Sequence, residues 1–409
     1  HLNYLIGTYC TFDIFTNSVA GRTILEKCES KQIMEEQSKT PFIPPYIALE
    51  IRNKRIVNNS FVPSNALELS SNSPYASLYG KLPGTYSLTF NFDTGFKETL
   101  KFKILDEQGK PSKAPAFFSA PDGRPMESSS LLLRQGGNDN SRTLFADLFM
   151  HRLAENSEVA ALEGSPLPVF INGNYWGIYN MRQRIDPLYI AEIENEKEKN
   201  ITILYCEVYG DRSILKDGSK KEKARFDSLI SSLPEQISSE ADYRRVRDQI
   251  SIKSFVDYII FETYYANQDW LHNNTTWYKA GGKKWKWILN DLDFSLAYPG
   301  TDNVNSNLFD KLLTRNSITG QLFTSLIAYP EFKERFQNRV IDLLEVEFSE
   351  ERVKWEFQQV KEMYSAGIDR QIRRWRFIDS IEQWEKDCAE NETFLLERRT
   401  IYQKQVQAL

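Results

Sequence analysis

Four polar side chains stand out for the chemistry they can do together. Asp269 and Asn274 lie five residues apart in QDWLHNN, and Asp291 and Asp293 fall in LNDLDF. Carboxylate and amide oxygens suit a hard cation such as Mg²⁺, which takes one or two carboxylates and completes its shell with water and substrate phosphates. Phosphoryl transfer asks little more of a protein than charge neutralisation around the phosphates and a group that orients or deprotonates the acceptor. Asp291, Asp293 and Asn274 have the inventory for the first task, and Asp269 for the second. The plainer account is that Asp and Asn at loop tips are turn formers and caps.

For these residues to meet, the chain between them must fold back. Ile252, Phe255, Val256, Ile259, Ile260 and Thr263 recur at helical spacing, so residues 252–266 read as a buried helix. A polar loop follows, then a strand (Thr275 to Lys279), a Gly281-Gly282 turn and a second strand (Lys284 to Leu289). That strand ends at Asn290-Asp291-Leu292-Asp293. A hairpin returns the chain beside its start, which puts both polar loops at one end of the ladder. Trp270, Trp277, Trp285 and Trp287 read as packing for this hairpin rather than as a binding platform. His272, alone in its loop, reads as a hydrogen-bonding group and not a ligand.

Composition narrows the alternatives. The chain has 409 residues, with 51 Lys and Arg against 56 Asp and Glu for a net charge of −5. A nucleic-acid protein built on bulk positive charge is therefore not expected. Hydrophobic residues at 41% and charged residues at 26% describe a globular chain, and its length predicts two or three domains, or one large enzyme fold with an appendage. Only His1, His151 and His272 are histidines, which argues against a histidine-rich zinc or iron site and leaves any metal to oxygen ligands. The four cysteines show no CxxC spacing, although Cys10 and Cys28 are close enough in sequence to pair. No apolar run reaches the ~18 residues of a membrane span. Neither GxGxxG nor GxxxxGK[ST] occurs, so a standard kinase or P-loop NTPase is not supported. The opening residue, His1, leaves room for a processed leader, and an exported or cell-surface location is the expectation. Oligomeric state is silent.

Along the rest of the chain, the first hundred residues read as β-rich, with an Ig-like sandwich one form they could take. Tyr46 to Val57 alternates apolar and polar residues. Gly84 to Leu105 does so again around an Asp93-Thr94-Gly95 turn, which predicts a hairpin. Asp106 to Pro125, rich in Pro, Gly, Ser and Lys, reads as a linker or long loop. Ser141 is placed to cap a helix through His151, with Leu144, Leu148 and Phe149 on one stripe. PLPVFINGNYWGIYNMRQRID predicts a strand, an Asn172-Gly173 turn and a second strand from Tyr175 to Met181. Residues 191–199 read as a solvated, charged face, and from about Asn305 onward the pattern is helical. The fold class is α+β, with a β-rich region over 1–110 and a second domain over 111–409.

The segment NQDWLHNN…KWKWILNDLDF resembles the CotH kinase family, atypical protein kinases named for a spore-coat protein. LLLRQGGNDNSRTLFADLFM (131–150), VFINGNYWGIYNMRQRID (169–186) and RQIRRWRF (370–377) resemble it too, so the likeness covers roughly residues 110–409 in order. It implies an atypical protein-kinase-like fold to which the N-terminal region contributes, ATP with Mg²⁺ or Mn²⁺, and a protein substrate phosphorylated on Ser or Thr. By resemblance, Asp269 is the catalytic-loop carboxylate, Asn274 its metal-binding partner and Asp291 the metal-binding aspartate, with Asp293 beside it. The Asp269-to-Asn274 offset is that of the protein-kinase catalytic loop. The chain departs from the family pattern at Gln183, where a Glu is usual, and at Ala146, where an Arg is expected. A Gln hydrogen-bonds but cannot form an ion pair with a phosphate-gripping Lys. These departures keep two rivals in view: another ATP-dependent transfer (glutamylation or AMPylation), and a degraded kinase that serves as a surface-binding protein. Arg134 beside Gly136-Gly137, Lys81 in LYGKLPG, Arg182 and Gln183 are the candidates for nucleotide contacts. Arg182 and Arg184 are expected to share one environment, and Arg373, Arg374 and Trp375 to stitch the helical tail onto the core.

Overall fold

The computed structural model describes residues 9–15, 47–55, 67–68, 81–82, 85–89, 100–105 and 113–119. It also describes 124–409 apart from 172–173, 207–209, 272 and 300–303, with side chains from Lys113 onward, a few strand positions excepted. The chain forms two compact units, each assembled from separated stretches. The described parts of 1–140, with 163–184 and 363–381, make the first; 141–162, 185–362 and 382–409 make the second. The fold is α+β, its strands mostly antiparallel and its C-terminal part helical.

The first unit is built on strands. In order these are β1 (Tyr9–Phe15), β2 (Ile47–Arg55), β3 (Leu67–Glu68), β4 (Lys81–Leu82), β5 (Thr85–Thr89), β6 (Leu100–Leu105), β7 (Ala114–Ser119), β8 (Pro125–Ser128), β9 (Ser130–Arg134), β10 (Gly164–Ile171) and β11 (Asn174–Arg182). Seven of them form one sheet in the order β1-β2-β10-β11-β9-β6-β5. The alternation that marks residues 46–57 becomes β2, antiparallel to β1 and parallel to β10. β5 and β6 pair with Tyr86 opposite Ile104 and Leu88 opposite Phe102; the Asp93-Thr94-Gly95 turn lies outside the described residues. β10 and β11 pair antiparallel as far as Ile171 opposite Asn174, with a bulge between Val169 and Phe170; the Asn172-Gly173 turn lies outside the described residues.

The stretch read as a linker holds structure instead. β7, including Pro115, pairs with β8 in a two-stranded ribbon. A ribbon has an open edge on each side, so a proline that lacks its N–H is accommodated there. The helical segment 363–375 meets β11 through Gln371, whose Oε1 accepts the Ile178 N–H at 2.8 Å. Trp375 packs edge-on against Trp176 at 5.2 Å, and Arg374 stacks on both rings. Arg373 takes no part in that packing and pairs with Asp369 on its own helix.

The second unit carries a four-stranded sheet, β13-β12-β14-β15, made of β12 (Ile201–Cys206), β13 (Ser213–Asp217), β14 (Thr276–Ala280) and β15 (Lys286–Ile288). Its helices are α1 (Ala146–Leu153), α2 (Pro187–Glu194), α3 (Lys220–Ser231), α4 (Glu240–Arg247) and α5 (Ile252–Tyr264), then α6 (Phe309–Leu313), α7 (Ile318–Ile327), α8 (Pro330–Glu345), α9 (Glu350–Trp375) and α10 (Ile381–Gln407). The last residues of α9 and the first of α10 belong to the first unit. Among the described residues no helix is long and apolar enough to cross a membrane. Cys206 and Cys388 are buried free thiols; the side chains of Cys10 and Cys28 lie outside the described residues.

Two expectations change here. α1 begins at Ala146 with no side-chain cap, while Ser141 closes a short 3₁₀ helix over Gly137–Ser141. Leu144, with φ +71°, breaks the helical path between them. In the charged stretch 191–199 Ala191 and Glu194 are buried, and Glu194, which ends α2, is the one charged residue among them. Sequence periodicity misses it because its partners come from the hairpin more than eighty residues on.

Candidate active site

The hairpin β14–β15 pairs Thr276 with Ile288 and Trp277 with Trp287, and its turn carries Gly281 at φ +55°. It is fastened to α5 by apolar and polar contacts together. Phe255 lies against Trp287 at 4.7 Å, the Ser254 hydroxyl accepts the Trp287 N–H at 2.9 Å, and Phe226 of α3 packs against Trp277 and Trp285. Trp270, at the loop that follows α5, donates its indole N–H to the Tyr258 hydroxyl at 2.8 Å. All four tryptophans are buried. Burial of that much aromatic surface, with each ring contact worth roughly 1 kcal/mol beyond its area, makes the hairpin a rigid support.

The two polar loops lie side by side at its open end. The Gln268 N–H donates to the Phe294 carbonyl at 3.0 Å, and the Leu296 N–H to the Tyr265 carbonyl at 2.9 Å. In the first loop Asn274 donates its side-chain N–H to Asp269 Oδ2 at 2.9 Å, and Asn273 donates to Oδ1 at 3.5 Å. With its nitrogen committed to Asp269, Asn274 keeps its amide oxygen as an acceptor. Asp291 is half-exposed in the second loop, and Asp293 two residues on is buried. His272 lies outside the described residues.

Backbone strain is concentrated here. Of nine non-glycine residues with positive φ among the described residues, Ala266, Leu271, Asn274, Asp291 and Leu296 fall within these loops and their margins. The left-handed region costs most L-residues roughly 1–2 kcal/mol, and such strain persists where surrounding contacts hold it, often at functional sites.

Three residues that the sequence pattern does not single out complete this end of the molecule. Asn267 is fully buried; its Oδ1 accepts the Asp269 N–H at 3.3 Å, and its Nδ2 donates to Glu262 Oε2 at 2.9 Å and to the Asp291 carbonyl at 3.5 Å. Glu262 sits inside α5. Burial pushes its carboxyl up to about 8, the charges of Asp291 and Asp147 add to the rise, and hydrogen bonds from Asn267 and Tyr258 offset only part of it. Asp147 on α1 accepts the Leu292 N–H at 2.9 Å. One of the two acids in the apolar stretch of α5, a single acid in LFADLFM, and an Asn two residues before Asp269 were the available signals.

The other nominated residues belong to the first unit. Arg134 ends β9 opposite Asn180 and is half-buried, followed by positive-φ Gly136 and Gly137. Lys81 pairs with Glu68 in the β3–β4 ribbon, and its side chain lies outside the described residues. Gln183 is buried; its Oε1 accepts the Glu163 N–H at 2.8 Å and its Nε2 faces Met126 Sδ at 3.4 Å. Arg182 is buried across Gly164, where a Cβ would meet its Cδ at 2.5 Å, whereas Arg184 is exposed. The two arginines therefore do not share an environment: β11 ends at Arg182, so strand alternation does not carry to Arg184.

Oxygen donors dominate the loop pair, which fits a hard divalent cation that also draws on phosphate oxygens. Among the described residues no three His, Cys, Asp or Glu side chains converge as a self-contained metal site. No curated protein matches the chain. The family described as CotH kinase protein matches it over residues 92–402. The chain belongs to the CotH kinase family, and so at family level to kinase-like enzymes.

Proposed function

We propose that this CotH-family protein transfers the terminal phosphoryl group of ATP to a serine or threonine hydroxyl of a protein partner, with Mg²⁺ or Mn²⁺ as the accompanying cation. The observation that carries the reading is the Asp269–Asn274 contact, seated in a loop that lies against the loop of Asp291. Asp269 orients the acceptor hydroxyl and takes its proton as the new O–P bond forms and the bond to ADP breaks. Asn273 and Asn274, which donate to its two oxygens, fix the direction in which the carboxylate points. The Asn274 amide oxygen and the Asp291 carboxylate are the groups that would hold the cation, with Asp293 assisting from its buried position. A divalent cation supplies neutralisation of phosphate charge and alignment of the transferring group. Arg134, Lys81, Arg182 and Gln183 are the candidates for nucleotide contacts, and of these the buried Gln183 already uses both of its amide atoms within its own unit.

The test is transfer of label from γ-labelled ATP to a protein acceptor in the presence of Mn²⁺, with the product identified by mass spectrometry. Phosphoserine or phosphothreonine, lost in Asp269→Ala, is the expected result. An AMP or glutamyl adduct would replace phosphotransfer with another use of the same nucleotide. No nucleotide binding in calorimetry would leave a binding protein.

A further inference from the structure

The carbonyl of Asp291 and the N–H of Leu292 belong to a single peptide group, and buried side chains grip both ends of it. Asn267 Nδ2 donates to the carbonyl at 3.5 Å and Asp147 Oδ1 accepts the N–H at 2.9 Å. A peptide group is planar, so hydrogen bonds at its two ends restrain ψ of Asp291 and φ of Leu292. Asp291 itself stands at φ +58°, in the left-handed region that L-residues other than Gly, Asn and Asp seldom occupy.

Both gripping residues have buried polar neighbours. Asn267 makes three of its four possible hydrogen bonds, with both Nδ2 hydrogens going to Glu262 and Asp291 and Oδ1 accepting from Asp269. Asp147 Oδ1 lies 3.6 Å from His151 Nε2 one turn along α1. The other ring nitrogen of His151, Nδ1, accepts the Leu162 N–H at 3.0 Å, which leaves the ring proton on Nε2, the side of Asp147. His151, Asp147 and Asn267 are all buried.

We infer that Asn267 and Asp147 are positioning residues that clamp the Asp291–Leu292 peptide and thereby aim the Asp291 carboxylate, and that Asn267, through its bond to Asp269, keeps the two acidic loops in fixed relation. Neither residue touches substrate. Supporting partners of this kind typically alter cation affinity by roughly 10- to 100-fold when removed. The inference rests on the phosphotransfer reading for its consequence, but the clamp itself is a property of the backbone and can be measured separately.

Two readouts on the full chain decide it. The first is amide hydrogen exchange across residues 289–296. The second is binding of Mn²⁺ with a non-hydrolysable ATP analogue, followed by the electron paramagnetic resonance of free Mn²⁺. Asp147→Ala should speed exchange at Leu292 and weaken Mn²⁺ binding by roughly tenfold or more, while Asp147→Asn, whose amide oxygen still accepts the Leu292 N–H, should stay close to the parent in both. Asn267→Ser, which keeps a small polar group beside Glu262 if Asn267→Ala does not fold, should weaken binding in the same direction. Unchanged exchange and unchanged binding in Asp147→Ala would overturn the clamp, and so would equal losses in Asp147→Ala and Asp147→Asn. If the parent protein takes up no Mn²⁺ with the analogue, the phosphotransfer reading fails, and exchange alone still decides whether the clamp exists.

Discussion

The two ends of the β14–β15 hairpin each bury a glutamate, and they treat it in opposite ways. At the turn end, Glu194 receives Tyr278 Oη and Lys286 Nζ at 2.8 Å each and Lys283 Nζ at 3.0 Å. Burial opposes its ionisation, but the bonds from Lys286, Tyr278 and Lys283 prevail and hold the carboxyl below the usual range. At the open end, Glu262 has an amide and a phenol for company and two aspartates nearby, and its carboxyl is driven up to about 8. The turn end matches charge with charge. The open end brings like charges together around Glu262 and concentrates left-handed backbone, an arrangement that costs stability and recurs at functional sites.

That contrast is sharpest at Asp291. Asp291→Ala should reduce phosphoryl transfer by roughly 10³-fold or more, about 4 kcal/mol in barrier, while the thermal unfolding midpoint falls by less than in Glu194→Gln. An equal or larger drop in the midpoint would mean that the open end is as structural as the turn.

Next in size is the pH dependence of Glu262. Its folded pKa of about 8 lies above the ordinary 4.5, so the folded state binds the extra proton between those values. The contribution is fully present below about pH 4.5 and is lost as pH rises through 8. Urea unfolding of the parent and Glu262→Gln across that window should show the parent losing on the order of 3 kcal/mol relative to the variant. A difference that is flat with pH would remove Glu262 from the comparison.

Glu194 has the opposite sign. With its pKa depressed, its stabilisation is present above about pH 4.5 and disappears as pH falls through the folded value. Glu194→Gln should cost about 2 kcal/mol at neutral pH, read from the same urea curves, and progressively less in acid.

The smallest effects lie in the turn itself. A Cβ at Gly281 would meet Glu196 Oε2 at 2.5 Å with φ already at +55°, whereas a Cβ at Gly282 has nothing within 4 Å. Gly281→Ala should cost about 1 kcal/mol and Gly282→Ala less than ~0.5 kcal/mol in thermal unfolding.

Much of the open end was legible in the chain because its signals are local. The five-residue step from Asp269 to Asn274, the apolar period of 252–266 and the Gly281-Gly282 turn each need only neighbours to interpret. Family motifs then tied these segments together. Asn267, Asp147 and Glu262 escaped for a different reason: their roles come from partners such as Leu292, distant from Asp147 in sequence, and one or two acids in an apolar helix have no pattern of their own. Glu194 failed in the reverse direction, hidden within a run of charges that is otherwise solvated. At Arg182 and Arg184 the error was one of alternation carried past the end of a strand, where each step decides inside from outside. The β7–β8 ribbon shows that proline and glycine content marks the absence of a broad sheet and not the absence of strands.

The interleaving of the two units has a consequence for biosynthesis. The strands of the first unit up to Asn140 emerge early, yet the segment 363–381 that packs on β11 is translated more than two hundred residues later. At about 5–20 residues per second the ribosome takes roughly 10–45 s to cover that distance. From the completion of β11 at Arg182 onward, the sheet must wait without the segment that packs on it, which makes the nascent chain a natural client for chaperones.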